Sequence, residues 1–152
     1  MKSTGIQITG SYVWHVSGKY ETDKVIHALS CILPDNAILY FEGNSISKEV
    51  IQFYNAYSVS SDVEIWKGTN WPKPEMFHLK FVKTITDQLS LLAQRHAQPE
   101  LFDHFVAYVD NAVLISGYDF GNDPLNISEV VPEKLIQEFS GKINCTYLKK
   151  IF

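Results

Sequence analysis

Two strand-like segments on either side of a short polar turn place the strongest constraint on the fold. Residues 104–109 and 112–118 are rich in β-branched and aromatic residues, and the pair Asp110-Asn111 separates them. Aspartate and asparagine tolerate the positive φ angles that tight hairpin turns require. The pattern predicts an antiparallel hairpin within residues 103–118. Because an isolated hairpin is marginally stable in water, further strands and helices must cover it.

The remaining elements follow from the spacing of apolar residues. Apolar residues recur at helical spacing in four segments, at about 22–33, 47–57, 84–97 and 132–140. Further strand-like runs lie at 6–16, 37–41, 63–67, 76–81 and 144–149. The resulting order, β-α-β-α-β-β-α-β-β-α-β, predicts a single α+β domain over residues 1–152. We expect a mixed, mostly antiparallel sheet with helices packed on it.

The composition narrows the classes of partner. The chain has 152 residues, and 45% of them are hydrophobic, which is enough for one core without disulfides or metal. No apolar run approaches the roughly 18–20 residues of a membrane helix, and the first residues carry no signal-peptide core. We therefore expect a cytoplasmic protein without a membrane partner. Arg95 is the only arginine and no basic cluster is present, so nucleic acid is not expected as a partner either.

The charges are unevenly distributed along the chain. Residues 99–138 contain eight acidic residues and one basic residue, Lys134, for a net charge of −7. The rest of the chain has a net charge of +3. An acidic surface attracts basic partners, whereas a solvated face without a partner is the simpler interpretation. The predicted partner-binding residues in this block are the acidic residues Asp103, Asp110, Asp119, Asp123 and Glu129, with the aromatic residues Tyr118 and Phe120 as anchors.

One group of residues allows an enzymatic alternative. Asp103 and His104 begin a predicted strand, and Asp119 and Asp123 lie in a polar loop, so the four could form a carboxylate–histidine site. His78 is a possible fifth member, since it lies on a strand beside another polar loop. No metal-binding or nucleophile motif accompanies them, and Cys31 and Cys145 lie far apart in the sequence. We therefore expect no cofactor and no metal.

A loop rich in tryptophan and proline has two interpretations. It contains Trp66, Trp71, Pro72 and Pro74. Aromatic residues beside prolines commonly hold a loop against its own core. Alternatively, a tryptophan here is an exposed anchor, because tryptophan is enriched at the energetic centres of interfaces.

Several short patterns resemble a set of small bacterial proteins that have no assigned activity. The shared features are the Trp71-Pro72 loop, the Phe77-His78 strand, the Asp103-His104 strand start and residues 118–128. In that last stretch the set has Tyr-Asp-x-Phe, whereas Phe120 directly follows Asp119 here. The resemblance implies a small bacterial protein and no particular reaction. In size and acidity the chain is also similar in type to polymorphic-toxin immunity proteins.

Taken together, these features favour a binding protein over an enzyme. The most concrete expectation is an immunity protein that neutralises a toxin, such as a basic nuclease, through an acidic surface, since complementary charge speeds and orients association. The alternative is a small hydrolase or metal-dependent enzyme that uses Asp103, His104, Asp119 and Asp123.

Overall fold

All the strands belong to one antiparallel sheet. The computed structural model describes residues 4–69 and 71–152. The strands are β1 (Tyr12–Ser17), β2 (Ile38–Gly43), β3 (Glu75–Lys80), β4 (His104–Val109), β5 (Ala112–Gly117), β6 (Leu125–Ser128) and β7 (Thr146–Ile151). They lie side by side in the order β3-β2-β4-β5-β6-β1-β7, and every neighbouring pair is antiparallel.

Five α-helices connect these strands. They are α1 (Thr22–Ala28), α2 (Lys48–Tyr57), α3 (Lys83–Arg95), α4 (Gln98–Leu101) and α5 (Glu133–Lys142), and a 3₁₀ turn, Leu29–Cys31, follows α1. None of the helices within residues 4–69 and 71–152 is both long and apolar enough to cross a membrane. The predicted α+β class is confirmed, with a sheet that is antiparallel in all its strands instead of mixed.

The predicted hairpin is present as β4 and β5. Val109 pairs with Ala112, and Asp110 in the turn between them has a φ angle of +52°. Aspartate is one of the few non-glycine residues that adopt this left-handed conformation at low cost. The four predicted helices are also confirmed, although their ends differ by a few residues.

One face of the sheet packs against the helices and forms the main core. Alternate strand residues supply it, as the two-residue period of a strand requires. Phe41 stacks on Tyr54 of α2 with ring centroids 5.2 Å apart, and the buried Tyr54 hydroxyl donates to the carbonyl of Leu101 at 2.7 Å. The hydrogen bond joins α2 to α4, so the core fixes the short helix that precedes β4.

The opposite face, which we call the second face, is covered by irregular chain. The predicted strand at 6–16 begins only at Tyr12, and residues 63–67 form no strand. Instead Ile6 and Ile65 form an isolated parallel bridge with each other. Both isoleucines pack on a small cluster that includes Tyr40, Val106 and Tyr108. These two segments were predicted as strands because they are apolar, and their apolar residues serve to cover the second face.

Two elements were not predicted from the sequence. Strand β6 has four residues, and its apolar residues are only Leu125 and Ile127, too few for a periodic signal. Helix α4 is a single turn. Strand β6 lies between β5 and β1 and thereby joins the hairpin to the outer half of the sheet.

Candidate functional site

Several loops meet at one end of the sheet, and this end carries the candidate site. Gly43 at the end of β2 pairs with Glu75 at the start of β3, and Glu42 pairs with His104 at the start of β4. The end of β5 lies beside them, because Phe105 pairs with Gly117. We call this the Trp71 end, and it consists of residues 44–47, 67–69, 71–74, 102–103 and 118–124.

A buried carboxylate lies beneath the loop that contains Trp71. Glu42 has an exposed fraction of 0%. Its Oε1 atom accepts hydrogen bonds from the Tyr40 hydroxyl at 2.9 Å and from the Gly68 backbone N–H at 3.3 Å, and its Oε2 atom accepts from the Thr69 backbone N–H at 3.2 Å. A carboxylate this deep is tolerated only when hydrogen bonds compensate its lost hydration. The Glu42 side chain therefore fixes the start of the loop against the sheet.

The phenols near Glu42 stay protonated. Burial raises the pKa of Tyr40 far above its usual value, and the negative charge of Glu42 raises it further. Burial also raises the pKa of Tyr118, and the negative charge of Glu42 makes a smaller contribution in the same direction. An un-ionised Tyr40 hydroxyl is a permanent donor, so its hydrogen bond to Glu42 persists across the physiological pH range.

His104 connects two loops of the Trp71 end. Its ring is buried, with 9% exposed, and its Nδ1 atom accepts the Asp119 backbone N–H at 2.7 Å. Because that nitrogen accepts, the ring proton lies on Nε2, which donates to the Thr69 hydroxyl oxygen at 2.9 Å. A Cβ atom placed on Gly68 would lie 2.5 Å from the His104 ring, so only glycine allows this close approach. The His104 side chain therefore joins the segment at Thr69 to the loop at Asp119, which is a structural role.

The two tryptophans of the loop have opposite environments. Trp66 is half-buried: its ring meets Tyr118 edge-on at 5.1 Å, and the Tyr118 hydroxyl donates to the Trp66 carbonyl at 2.6 Å. Trp71 is 87% exposed. Trp66 therefore holds the loop to the core, whereas Trp71 has the exposure that the anchor interpretation requires.

Three of the predicted partner-binding acids lie at the Trp71 end. Asp103 is half-buried and accepts the Asn44 backbone N–H at 3.0 Å. Asp119 is exposed with a φ angle of +50°, and its carboxylate accepts from the Asn122 side-chain amide at 3.1 Å. Asp123 is exposed in the same loop. The acids of residues 118–124 therefore lie on exposed loop positions at the end of the sheet that carries Trp71.

The other two predicted acids lie elsewhere. Asp110 is in the turn at the far end of β4 and β5, and Glu129 directly follows β6, at that same far end. The Glu129 carboxylate accepts the Ser11 backbone N–H at 2.9 Å. A strand of six residues spans about 20 Å, so the five predicted partner-binding acids form two separate groups.

Neither of the two predicted aromatic anchors is fully exposed. Phe120 is 2% exposed and packs edge-on against Tyr20 and Phe102. The Tyr118 hydroxyl is occupied by Trp66, as described above. The anchor role predicted for Phe120 is therefore wrong, and the exposed aromatic residue at this end is Trp71.

The enzymatic alternative required Asp103, His104, Asp119 and Asp123 to converge. His104 contacts Asp119 through the backbone N–H only, and its other ring nitrogen is bonded to Thr69. His78 lies on the second face, where its Nδ1 atom is hydrogen-bonded to the Tyr108 hydroxyl at 2.8 Å. Within residues 4–69 and 71–152, no three His, Cys, Asp or Glu side chains are placed to hold a metal ion. The geometry therefore does not assemble the predicted acid–base cluster.

Glu42 is important to this end of the sheet but was not among the residues predicted from the sequence. It directly follows the apolar run 37–41, which predicts an interior strand. A charged residue in that position is ordinarily exposed, so the sequence does not identify Glu42 as a buried carboxylate. Its partners Gly68 and Thr69 carry no signal either, because they are polar loop residues.

The fold and this end of the sheet define an α+β domain with an exposed tryptophan on a loop whose start is bonded to a buried glutamate. Comparison with family models, curated proteins and solved structures finds no match for the chain.

Proposed function

We propose that this protein is a non-enzymatic binding protein of bacterial type, an immunity protein that neutralises a basic toxin domain. The contact surface in this proposal is the Trp71 end, with Trp71 as the anchor and Asp103, Asp119 and Asp123 as the acidic residues around it. The observation that carries the proposal is the exposure of Trp71 on a loop whose start is fixed by the buried Glu42.

An exposed tryptophan on a fixed loop is suited to binding. Burying a large aromatic side chain in a partner's pocket contributes more than most contacts, and tryptophan dominates many interfaces for this reason. Ordering a mobile loop on association would offset part of that gain. Here the hydrogen bonds from Gly68 and Thr69 to Glu42 order the loop's start beforehand, so less conformational entropy is lost on binding.

The acids supply the preference for a basic partner. Nuclease domains need positive charge to hold phosphates, and an acidic protein surface speeds its association with them. Asp119 and Asp123 are exposed at the Trp71 end, and neither forms an ion pair with a described basic residue. Lys73 is exposed in the Trp71 loop, so the loop itself carries a positive charge. The acidic part of the Trp71 end is therefore the part formed by residues within 103–123.

The test is co-expression with the toxin encoded beside this protein's gene. Wild-type protein should restore growth and bind the toxin domain in calorimetry. The variant Trp71→Ala should lose both, and it should fold normally, because an exposed side chain changes stability by only about 0.5 kcal/mol. The double variant Asp119→Asn/Asp123→Asn should weaken binding, most of all at low salt.

Asp110→Asn is the matched control. Asp110 and Asp119 both have φ near +50°, a conformation that asparagine also accepts, but only Asp119 lies at the Trp71 end. Asp110→Asn should bind like the wild type. If Trp71→Ala and the double variant retain full affinity for the toxin, the proposed surface is wrong; if the wild type neither binds nor protects, the proposed function is wrong.

A further inference from the structure

We propose that a pocket on the second face binds a small ligand with an apolar body and a carboxylate group. The pocket has a volume of about 370 Å³ and lies over β5, β6, β1 and β7; Tyr118 of the Trp71 end lines it, whereas Trp71 itself does not. Its floor is the sheet, and its rim is formed by residues 7–8, by Trp66 and by the C-terminal residues 151–152. The proposal is independent of the proposed toxin-binding surface.

Most of the wall is apolar. Ile8, Val13, Val113 and Trp66 line it, together with the exposed Phe152. A volume near the lower end of the roughly 300–1,000 Å³ that ligand sites occupy suits a compact molecule. An aromatic or branched aliphatic body fits such a wall, because burying its surface provides the main driving force.

Two polar groups in the floor are available to a ligand. Ser116 is 7% exposed and lines the pocket, and no described residue forms a hydrogen bond with its hydroxyl. Asn126 is paired with Ser116 across β5 and β6, which places their side chains side by side. The Asn126 Oδ1 atom is bonded to His15 Nδ1 at 3.1 Å, so the Asn126 Nδ2 hydrogens are free to donate. Both groups can therefore donate a hydrogen bond to a ligand in the pocket.

A positive charge lies at one side of the same floor. Lys150 pairs with Val13 across β7 and β1, so both side chains project from the second face into the lining. Lys150 is the only charged side chain among the lining residues, and it takes part in none of the ion pairs within residues 4–69 and 71–152.

The hydroxyl of Ser116, the amide of Asn126 and the ammonium of Lys150 can all donate hydrogen bonds. Donors and one positive charge that line the same pocket favour an anionic oxygen group, and charge-assisted hydrogen bonds are the strongest of this kind. The apolar wall contacts the apolar body of the ligand. The chemistry therefore selects a small apolar carboxylate over a neutral or cationic molecule of the same shape.

The probe is 2-naphthoate, compared with 2-naphthalenemethanol and 2-naphthylmethylamine as a neutral and a cationic analogue. Binding to the full chain is measured by calorimetry, and the site by amide chemical-shift changes. Naphthoate should bind more tightly than either analogue, with shifts centred on Val113, Ser116, Asn126 and Lys150. Equal affinity for all three probes, shifts confined to another region, or no binding at millimolar concentrations would overturn the proposal.

Lys150→Gln and Lys149→Gln form a matched pair on β7. Lys149 projects from the opposite side of the strand, where its ammonium lies 4.3 Å from the centroid of the Tyr12 ring. Lys150→Gln should weaken naphthoate binding about tenfold, equivalent to about 1.4 kcal/mol, and leave the alcohol's affinity unchanged. Lys149→Gln should leave both affinities unchanged. Ser116→Ala should weaken naphthoate binding several-fold while the urea midpoint shows that the fold is intact. Equal losses in the two lysine variants would mean that general surface charge, and not this pocket, attracts the anion.

Discussion

The Glu42 carboxylate accepts the backbone N–H of Thr69 at 3.2 Å, from a position that solvent does not reach. This contact joins the end of an interior strand to a loop 27 residues further along the chain. The same carboxylate also holds Gly68 and Tyr40. One buried charge therefore organises the loop that presents Trp71.

Replacing Glu42 should destabilise the protein. The variant Glu42→Gln keeps one acceptor oxygen and places an NH₂ group among the Gly68, Thr69 and Tyr40 donors, so at least one buried donor loses its partner. We expect a loss of about 1–3 kcal/mol in the free energy of unfolding by urea. Trypsin should also cleave the loop after Lys67 faster than in the wild type.

Glu75→Gln is the control for this prediction, because Glu75 is an exposed residue at the start of the neighbouring strand β3. It should leave both the unfolding free energy and the cleavage rate unchanged. Wild-type stability in Glu42→Gln would show that Glu42 does not hold the loop.

Two glycine-to-alanine substitutions should change the free energy of unfolding in opposite directions. In Gly68→Ala the new methyl group would meet the His104 ring at 2.5 Å and would force the loop away from it, which should cost about 1–3 kcal/mol. Gly141 lies in α5, and a methyl group added there would meet no described atom within 4 Å beyond the helix's own backbone. Gly141→Ala should therefore stabilise by about 0.5–1 kcal/mol through helix propensity. Urea denaturation of both variants checks the pair. Stabilisation by Gly68→Ala would contradict the close approach of the loop to His104.

A buried serine without a hydrogen bond offers a stabilising substitution. Among the residues that the structure describes, Ser90 Oγ in α3 is the buried side-chain oxygen that has no partner. Ser90→Ala removes that oxygen and improves helix propensity, so it should raise the free energy of unfolding by roughly 1 kcal/mol. Ser140 in α5 is equally buried, but its hydroxyl donates to the Ile136 carbonyl at 2.7 Å. Ser140→Ala should therefore stabilise less or destabilise, and an equal gain in both variants would show that helix propensity alone is responsible.

The elements that the sequence predicted correctly depend on local signals. The Asp110-Asn111 turn and the periodic apolar residues of α3 lie within the segments that they specify. The sequence did not show how the acidic residues are distributed in space, because Asp110 and Asp119 flank β5 and therefore lie at opposite ends of the sheet. Glu42 and Thr69 are 27 residues apart in the sequence and are bonded in the folded protein. Contacts of that kind depend on topology, and no spacing in the sequence encodes them.

The pH dependence of stability should contain a contribution from His78. Burial lowers the pKa of His78 in the folded protein, because the charged imidazolium loses its hydration there. The unfolded chain, with a histidine pKa of about 6.5, therefore binds a proton more readily than the folded one. The resulting stabilisation is fully present above about pH 6.5 and is lost as the pH falls through the lowered pKa of the folded state.

His78→Asn should remove this contribution. The asparagine side-chain oxygen can accept from the Tyr108 hydroxyl in place of Nδ1, and Ser61, which is 2.7 Å from that hydroxyl, can keep its contact. We expect near wild-type stability at pH 7.5 and a shallower decline towards pH 5, measured by urea denaturation at several pH values. His27→Asn, at an exposed position of α1, controls for the loss of one imidazole. An identical decline in the wild type and His78→Asn would show that protonation of His78 does not oppose folding.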